Sequence, residues 1–203
     1  MSSPAPAANF FAHPSAIVDP ASRVGDGTKI WHFSHVMANS VIGAKCNLGQ
    51  NVVVSPGCHI GDGCRIQNNV SIYTGVTLED GVFCGPSMVF TNVINPRAFI
   101  ERKSEYKPTL VRKGASIGAN STIVCGITLG AYCFVGAGAV VTRNVPDFAL
   151  VYGSPAKVRG WVCYCGVQLE MNLDEGDERA RCGACEREYE RVGQRVTMVE
   201  AVR

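Results

Sequence analysis

The sequence predicts an all-β solenoid: a chain wound into triangular coils whose short strands stack in parallel. Three observations predict it. Aliphatic or similar residues recur every six positions at Val18, Val24, Ile30, Val36, Ile42, Leu48, Val54, Ile60, Ile66, Ile72, Leu78, Cys84 and Phe90. The same beat resumes, three positions out of phase, at Val111, Ile117, Ile123, Leu129, Val135 and Val141. The rest of the unit repeats too, as in Ile42-Gly43-Ala44-Lys45-Cys46-Asn47 and Ile117-Gly118-Ala119-Asn120-Ser121-Thr122. A period of six is neither the two of an isolated strand nor the 3.6 of a helix, so it describes a repeating turn-and-strand unit. One residue per unit fills the interior, a small one fits a crowded corner, and glycine permits backbone angles that a side chain forbids. Three units make one coil. Parallel strands about 4.8 Å apart join the coils, and only stacking several of them buries a continuous core.

With 203 residues, 46% of them hydrophobic, and a formal charge of +2, the chain fits one main domain and a small appendage, and nothing in that balance points to a nucleic-acid binder. Met1 to Asn9 is rich in Ser, Ala and Pro without a basic start or an apolar run, so it reads as a frayed tail and not a signal peptide. No stretch is long and apolar enough to enter a membrane. The expected boundaries are a tail at 1–11, a solenoid at 12–161 with a loop at 95–110, and an appendage at 162–203.

Ten cysteines without a secretion signal suggest a reducing, cytoplasmic setting. Cys46, Cys58, Cys64 and Cys133 occupy the small-residue slot, Cys84 an aliphatic slot and Cys125 the third position of its unit, as small buried hydrophobes would. Cys163, Cys165, Cys182 and Cys185 are different. They form two close pairs separated by a polar stretch holding Asp174, Glu175, Asp177 and Glu178, with too few large apolar residues for a core. Tetrahedral thiolate ligation of structural Zn2+ explains that spacing, with iron the minor alternative. The acidic insert disfavours nucleic acid as the partner of this ribbon, although Arg187, Arg191, Arg195 and Arg203 follow it.

Between Asn95 and Leu110 the beat fails, and the segment is expected to protrude as a loop. It carries Arg97, Arg102, Lys103 and Lys107 against Glu101 and Glu105, which suits an anionic ligand such as a sugar nucleotide. Assigning units to faces in order puts Val18, Val36, Val54, Ile72, Phe90, Ile123 and Val141 together. Third positions then stack as a column through Thr74, Asn92, Cys125 and Arg143. Asn92 lies where the loop leaves the coil and is the candidate polar side chain at a reacting centre.

The runs Ile30-Trp31-His32-Phe33-Ser34-His35-Val36, Ile66-Gln67-Asn68-Asn69-Val70-Ser71, Val82 to Val93 and Asn95-Pro96-Arg97 resemble the bacterial 3-amino-sugar-nucleotide N-acetyltransferases built from hexapeptide repeats. The resemblance covers roughly residues 12 to 161. It implies a left-handed parallel β-helix, against the usual right-handed crossover, a homotrimer, and acetyl-CoA bound in a groove between subunits. It implies acetylation of a nucleotide-sugar 3-amino group, most closely that of UDP-2-acetamido-3-amino-2,3-dideoxy-glucuronate, for lipopolysaccharide O-antigen or related cell-surface polysaccharide; a dTDP-linked 3-amino-deoxy sugar is the alternative. By the same resemblance Asn92 contacts the reacting group, Gln67 and Asn68 lie near the sugar nucleotide, and Arg97, Glu101, Lys103 and Tyr106 belong to the loop over it. Ala119, Gly136 and Ala137 match the small residues that admit pantetheine, and Arg143, Lys157 and Arg159 are the cations within reach of CoA phosphates. The four C-terminal cysteines depart from the family pattern, which argues against a catalytic zinc.

An amine attacking a thioester needs alignment, an oxyanion donor and a proton acceptor. Histidine is the usual acceptor, but counting units places Asn92 about four coils beyond His32 and about two beyond His59, roughly 19 Å and 10 Å at ~4.8 Å per coil. Glu101 or the departing CoA sulfur are the remaining acceptors. Two other classes of function compete: a zinc carbonic anhydrase, which needs three converging histidines that His13, His32, His35 and His59 do not supply, and a non-enzymatic scaffold or nucleic-acid-binding protein.

Overall fold

A computed structural model describes residues 9–173 and 176–199. The N-terminal tail up to residue 8, Asp174, Glu175 and Arg203 lie outside the described residues. Three parallel sheets form the walls of a triangular solenoid. Sheet A starts at Phe11–Ala12 and climbs through Lys29–Ile30, Asn47–Leu48, Arg65–Ile66, Phe83–Cys84, Ser116–Ile117 and Phe134–Val135. Sheet B holds Ile17–Val18, His35–Val36, Val53–Val54, Ser71–Ile72, Val89–Phe90, Thr122–Ile123 and Val140–Val141, and sheet C runs from Arg23–Val24 to Thr128–Leu129. Among the described residues the one helix is the single 3-10 turn Lys103–Glu105, and no helix is long and apolar enough to cross a membrane.

The hexad explains each wall. Most strands are two residues long, the first facing out and the second in, so the six-residue beat falls on the buried position; from Ile30 to Phe90 and again from Val111 to Val141 every one of its residues is buried. Four positions later the small residue turns its polar atom along the coil axis. Thr28 Oγ1 donates to Gly43 O at 2.8 Å, Ser34 Oγ to Gly49 O at 2.8 Å, and Cys46 Sγ to Gly61 O at 3.1 Å. Hydroxyl and thiol serve alike because each fits the corner and satisfies a carbonyl of the next coil. Burial pushes the Cys58 thiol up to about 11 and the Cys84 and Cys133 thiols up to about 12, so these three remain neutral packing groups. At Gly118 the next coil comes so close that a Cβ would stand 2.5 Å from Ala137 N, which is why this corner accepts no side chain.

Registry survives the interruption on all three walls. Phe90 pairs with Ile123, Cys84 with Ile117 and Leu78 with Val111. Between Phe90 and Val111 the chain runs 21 residues where the hexad needs 6, so 15 are inserted at one corner, and the base of the insertion is tied by Lys107 N–H donating to Asn92 O at 2.9 Å. The inserted residues from Ile94 to Glu101 are exposed, Phe99 at 83%.

Above the last coil sheet A turns antiparallel, through Ala149–Gly153, Ala156–Val162 and Gln168–Leu169, and a separate hairpin sheet of Glu178–Arg181, Glu188–Val192 and Arg195–Val199 follows. The sequence reading gives this segment too few apolar residues for a core. The structure corrects that: Trp161, Cys163, Leu169, Cys182, Tyr189 and Val196 are buried and continuous with the solenoid interior. Tyr189 meets Phe148 edge-on at 5.5 Å between ring centroids, and Phe148 stacks on Tyr132 at 5.3 Å. The appendage borrows the open end of the solenoid as the other half of its core, so few apolar residues of its own suffice.

Candidate functional site

Two corners of the triangle carry the candidate residues. The corner between sheets A and B displays, from the bottom coil upward, His13, Trp31 and His32, Gly49 and Gln50, Gln67 and Asn68, Gly85 and Pro86, Gly118 and Ala119, Gly136 and Ala137, then Tyr152. Its lower half is polar and aromatic. Trp31, His32, Asn47, Gly49, Gln50, Gln67 and Asn68 line a recess of about 280 Å³. Trp31 Nε1–H donates to Asn47 Oδ1 at 2.9 Å, and Gln50 N–H donates to Asn68 Oδ1 at 2.9 Å, so the Asn68 oxygen serves the wall and its amide nitrogen is the group left for a ligand. His13 stacks on His32 with centroids 3.5 Å apart.

The upper half of the same corner is smooth. Ala119 and Gly136 are half-buried, Ala137 is exposed, and the run ends at Tyr152, whose ring lies 5.7 Å from the Arg159 guanidinium carbon. Lys157 and Arg159 are both exposed on the strand Ala156–Val162. A surface of glycine and alanine lets an extended chain lie against backbone, and the cations stand at its far end.

The corner between sheets B and C holds Asn92, half-buried, with Cys125 and Arg143 stacked above it as the hexad count requires. Cys125 N–H donates to Thr91 Oγ1 at 2.9 Å, which fixes the backbone beside Asn92. Arg143 is exposed. In the insertion Glu101 pairs with Lys103 at 3.4 Å and Arg102 with Glu105 at 2.7 Å, while Arg97 and Tyr106 are exposed. Within one chain, then, Gln67, Asn68, Ala119, Gly136 and Ala137 share one edge, Asn92 and Arg143 another, and sheet B separates them.

The histidines do not gather. Sheet order puts His32 three coils below Asn92, one fewer than the four expected from the sequence, and His59 two coils below it on sheet C. His35 bonds Asp19 at 2.9 Å on sheet B. Among the described residues the one group able to hold a metal is Cys163, Cys165, Cys182 and Cys185, far up the molecule from the polar recess. Trp31, His32 and Tyr152 are residues of this corner to which sequence reasoning gave no binding role, and counting one and two positions past each sheet A aliphatic finds all three.

The solenoid of hexads with its charged insertion is of the hexapeptide-repeat class. The family described as bacterial transferase hexapeptide (six repeats) matches residues 21–56 and 108–143, and that described as hexapeptide repeat of succinyl-transferase matches 40–74. The chain is 42% identical over 161 residues to the dTDP-3-amino-3,6-dideoxy-alpha-D-galactopyranose 3-N-acetyltransferase of Aneurinibacillus thermoaerophilus, covering 79% of this chain and 83% of that one. It is 32% identical over 130 residues to the bifunctional protein GlmU of Thermosynechococcus vestitus, covering 64% of this chain but only 27% of the relative. Among solved structures, PerB from Caulobacter crescentus in complex with CoA and GDP-perosamine overlaps 76% of this chain and 58% of its own, at 25% identity and a TM-score of 0.47. The chain belongs to the hexapeptide-repeat acetyltransferases, and it is an N-acetyltransferase.

Proposed function

We propose that this enzyme transfers acetyl from acetyl-CoA to the 3-amino group of a nucleotide-linked 3-amino-deoxy sugar, with a dTDP sugar as the substrate. The observation that carries the reading is the change of character along the A/B corner. It is polar and aromatic through the first four coils and then glycine, proline and alanine for three more, and the change falls at the height of Asn92. The lower stretch suits a nucleotide diphosphate, with Gln67 and the Asn68 amide as donors. The upper stretch suits pantetheine lying against Ala119, Gly136 and Ala137, with Lys157, Arg159 and Arg143 toward the CoA phosphates. Amine and thioester then meet where the two stretches join. The 42% relative, named for a dTDP sugar, supports thymidine over uridine. Loop charge does not favour the UDP-glucuronate: two of the loop's four cations, Arg102 and Lys103, are already paired with Glu105 and Glu101.

In the reaction the neutral amine attacks the thioester carbonyl, the Asn92 amide donates to the oxyanion or orients the amine, and the C–S bond breaks to release CoA thiolate. The amine's surplus proton leaves through Glu101 or passes to the departing sulfur, which closes the balance as amide and thiol. A panel of dTDP- and UDP-3-amino sugars with acetyl-CoA, read by released thiol, tests the assignment. Turnover of a dTDP-3-amino-6-deoxy sugar is expected to exceed that of the UDP-glucuronate by at least about tenfold in kcat/KM; the reverse ranking rejects the thymidine reading, and no released thiol with any amine rejects the site.

Asn92 and the groove can act together only across copies. The outward residues of sheet B are Ile17, His35, Val53, Ser71, Val89, Thr122 and Val140, a wall without a lysine, arginine or carboxylate. A homotrimer with sheet B toward its axis, coils level, sets the A/B corner of one copy against the B/C corner of the next. Mixing Asn92→Ala with Gln67→Ala protein, unfolded and refolded together, should then restore about a quarter of the sites, since each needs one intact corner from either parent. Recovery no greater than the sum of the parents would reject the shared site.

A further inference from the structure

The C-terminal cysteines make a second site, remote from the groove. All four Sγ atoms lie within 4.8 Å of one another. Cys163 and Cys185 are 3.3 Å apart, and Cys165 and Cys182 are 3.7 Å apart. A tetrahedral zinc with bonds of about 2.3 Å needs sulfurs about 3.8 Å apart, so the cluster already has the dimensions of the shell.

Each pair is presented by a closed turn. In the first, Cys163 N–H donates to Val167 O and Gly166 N–H to Cys163 O, both at 2.8 Å, and Cys165 N–H points at Cys163 Sγ at 3.5 Å. In the second, Cys182 N–H donates to Arg187 O and Glu186 N–H to Cys182 O, both at 2.9 Å. The Arg187 guanidinium stands 4.8 Å from the ring centre of Tyr164, the residue between the first two cysteines in sequence, and so brings a cation to the neighbourhood of a tetrathiolate centre of net charge −2.

We propose that Cys163, Cys165, Cys182 and Cys185 bind one Zn2+ in a closed structural site, and that this ion fastens the C-terminal cap to the last coil. Binding releases four thiol protons and leaves the metal no open position for chemistry. The fastening runs through named contacts. Tyr164 N–H donates to the Tyr189 hydroxyl at 2.9 Å, and that hydroxyl lies 3.0 Å from Cys163 Sγ, where it would be the donor to a zinc-bound thiolate. The Tyr189 ring is fully buried against Phe148 of the solenoid. Without the ion, the two turns would be held only by the small shared core of Trp161, Leu169, Tyr189 and Val196.

The full chain, expressed with zinc and purified without chelator, should carry one zinc by elemental analysis and show no visible absorbance. Cys165→Ser is the decisive variant, because this thiol is exposed and its exchange for a hydroxyl removes no packing. It should lose the zinc and lower Tm by about 10 °C, while Tyr189→Phe should keep the zinc and lower Tm by less. Protein without zinc whose four thiols react rapidly under native conditions, a Cys165→Ser protein of unchanged Tm, Cys163–Cys185 and Cys165–Cys182 disulfides, or bound iron would each overturn the proposal. None of these readouts depends on acetyl transfer.

Discussion

Asn92→Ala is expected to lower kcat by about 10²- to 10³-fold while the KM for acetyl-CoA changes little, the loss typical of removing one preorganised donor to a developing oxyanion. The position is well suited to that role. Its carbonyl is held by Lys107 N–H and its neighbour Thr91 accepts from Cys125 N–H, so the backbone on both sides is fixed while the amide side chain stays half-buried at the corner. His59→Ala is the matched control. That ring faces outward from sheet C two coils lower, roughly 10 Å away at ~4.8 Å per coil, and kcat should stay within about twofold. Steady-state rates of thiol release decide it, and similar losses in the two variants would reject Asn92 as the group at the reacting centre.

Phe90→Ala should be the most damaging single truncation in the solenoid, costing about 3–5 kcal/mol and roughly 10 °C in Tm. Phe90 is 1% exposed and is, after Tyr189, the largest fully buried side chain. It fills the coil from which the insertion departs, and it pairs with Ile123, the first sheet B strand after the chain returns. Removing it opens a cavity in the coil from which the insertion departs. Phe134→Ala, on the outer face of sheet A and 36% exposed, should cost less than about 1 kcal/mol. Thermal unfolding followed by circular dichroism separates the two, and equal shifts would show that burial at the insertion has no special weight.

The walls were fully legible in the amino-acid sequence because a hexad maps one residue to one interior position without exception, and the phase jump after Phe90 still closes on Ile123, Ile117 and Val111. Heights were nearly as legible. His32 and Asn92 are 60 residues apart at 18 per coil, so their true separation is a little over three coils and the expected four was an overcount. What periodicity left unread is the relation between corners. Asn92 and Gln67 are each found by motif, yet only the order of sheets shows that a whole wall lies between them, which is why the proposed shared site calls on a second copy. The cap was illegible for a different reason. Its strands are antiparallel and its core is completed by Phe148 and Tyr132, residues the hexad assigns to another element, so no local window of 162–199 contains enough apolar surface to announce a fold.

The antiparallel turn of sheet A above Phe134–Val135 has a consequence for how these molecules behave in a crowded solution. A column of parallel strands is a template that any similar column can extend end to end, which is the geometry by which fibres grow. Reversing the direction of the final ribbon, and laying a buried tyrosine over the opening, removes the matching register at that terminus. Propagation is thereby limited to the opposite end, where the strands Phe11–Ala12, Ile17–Val18 and Arg23–Val24 offer only two residues each.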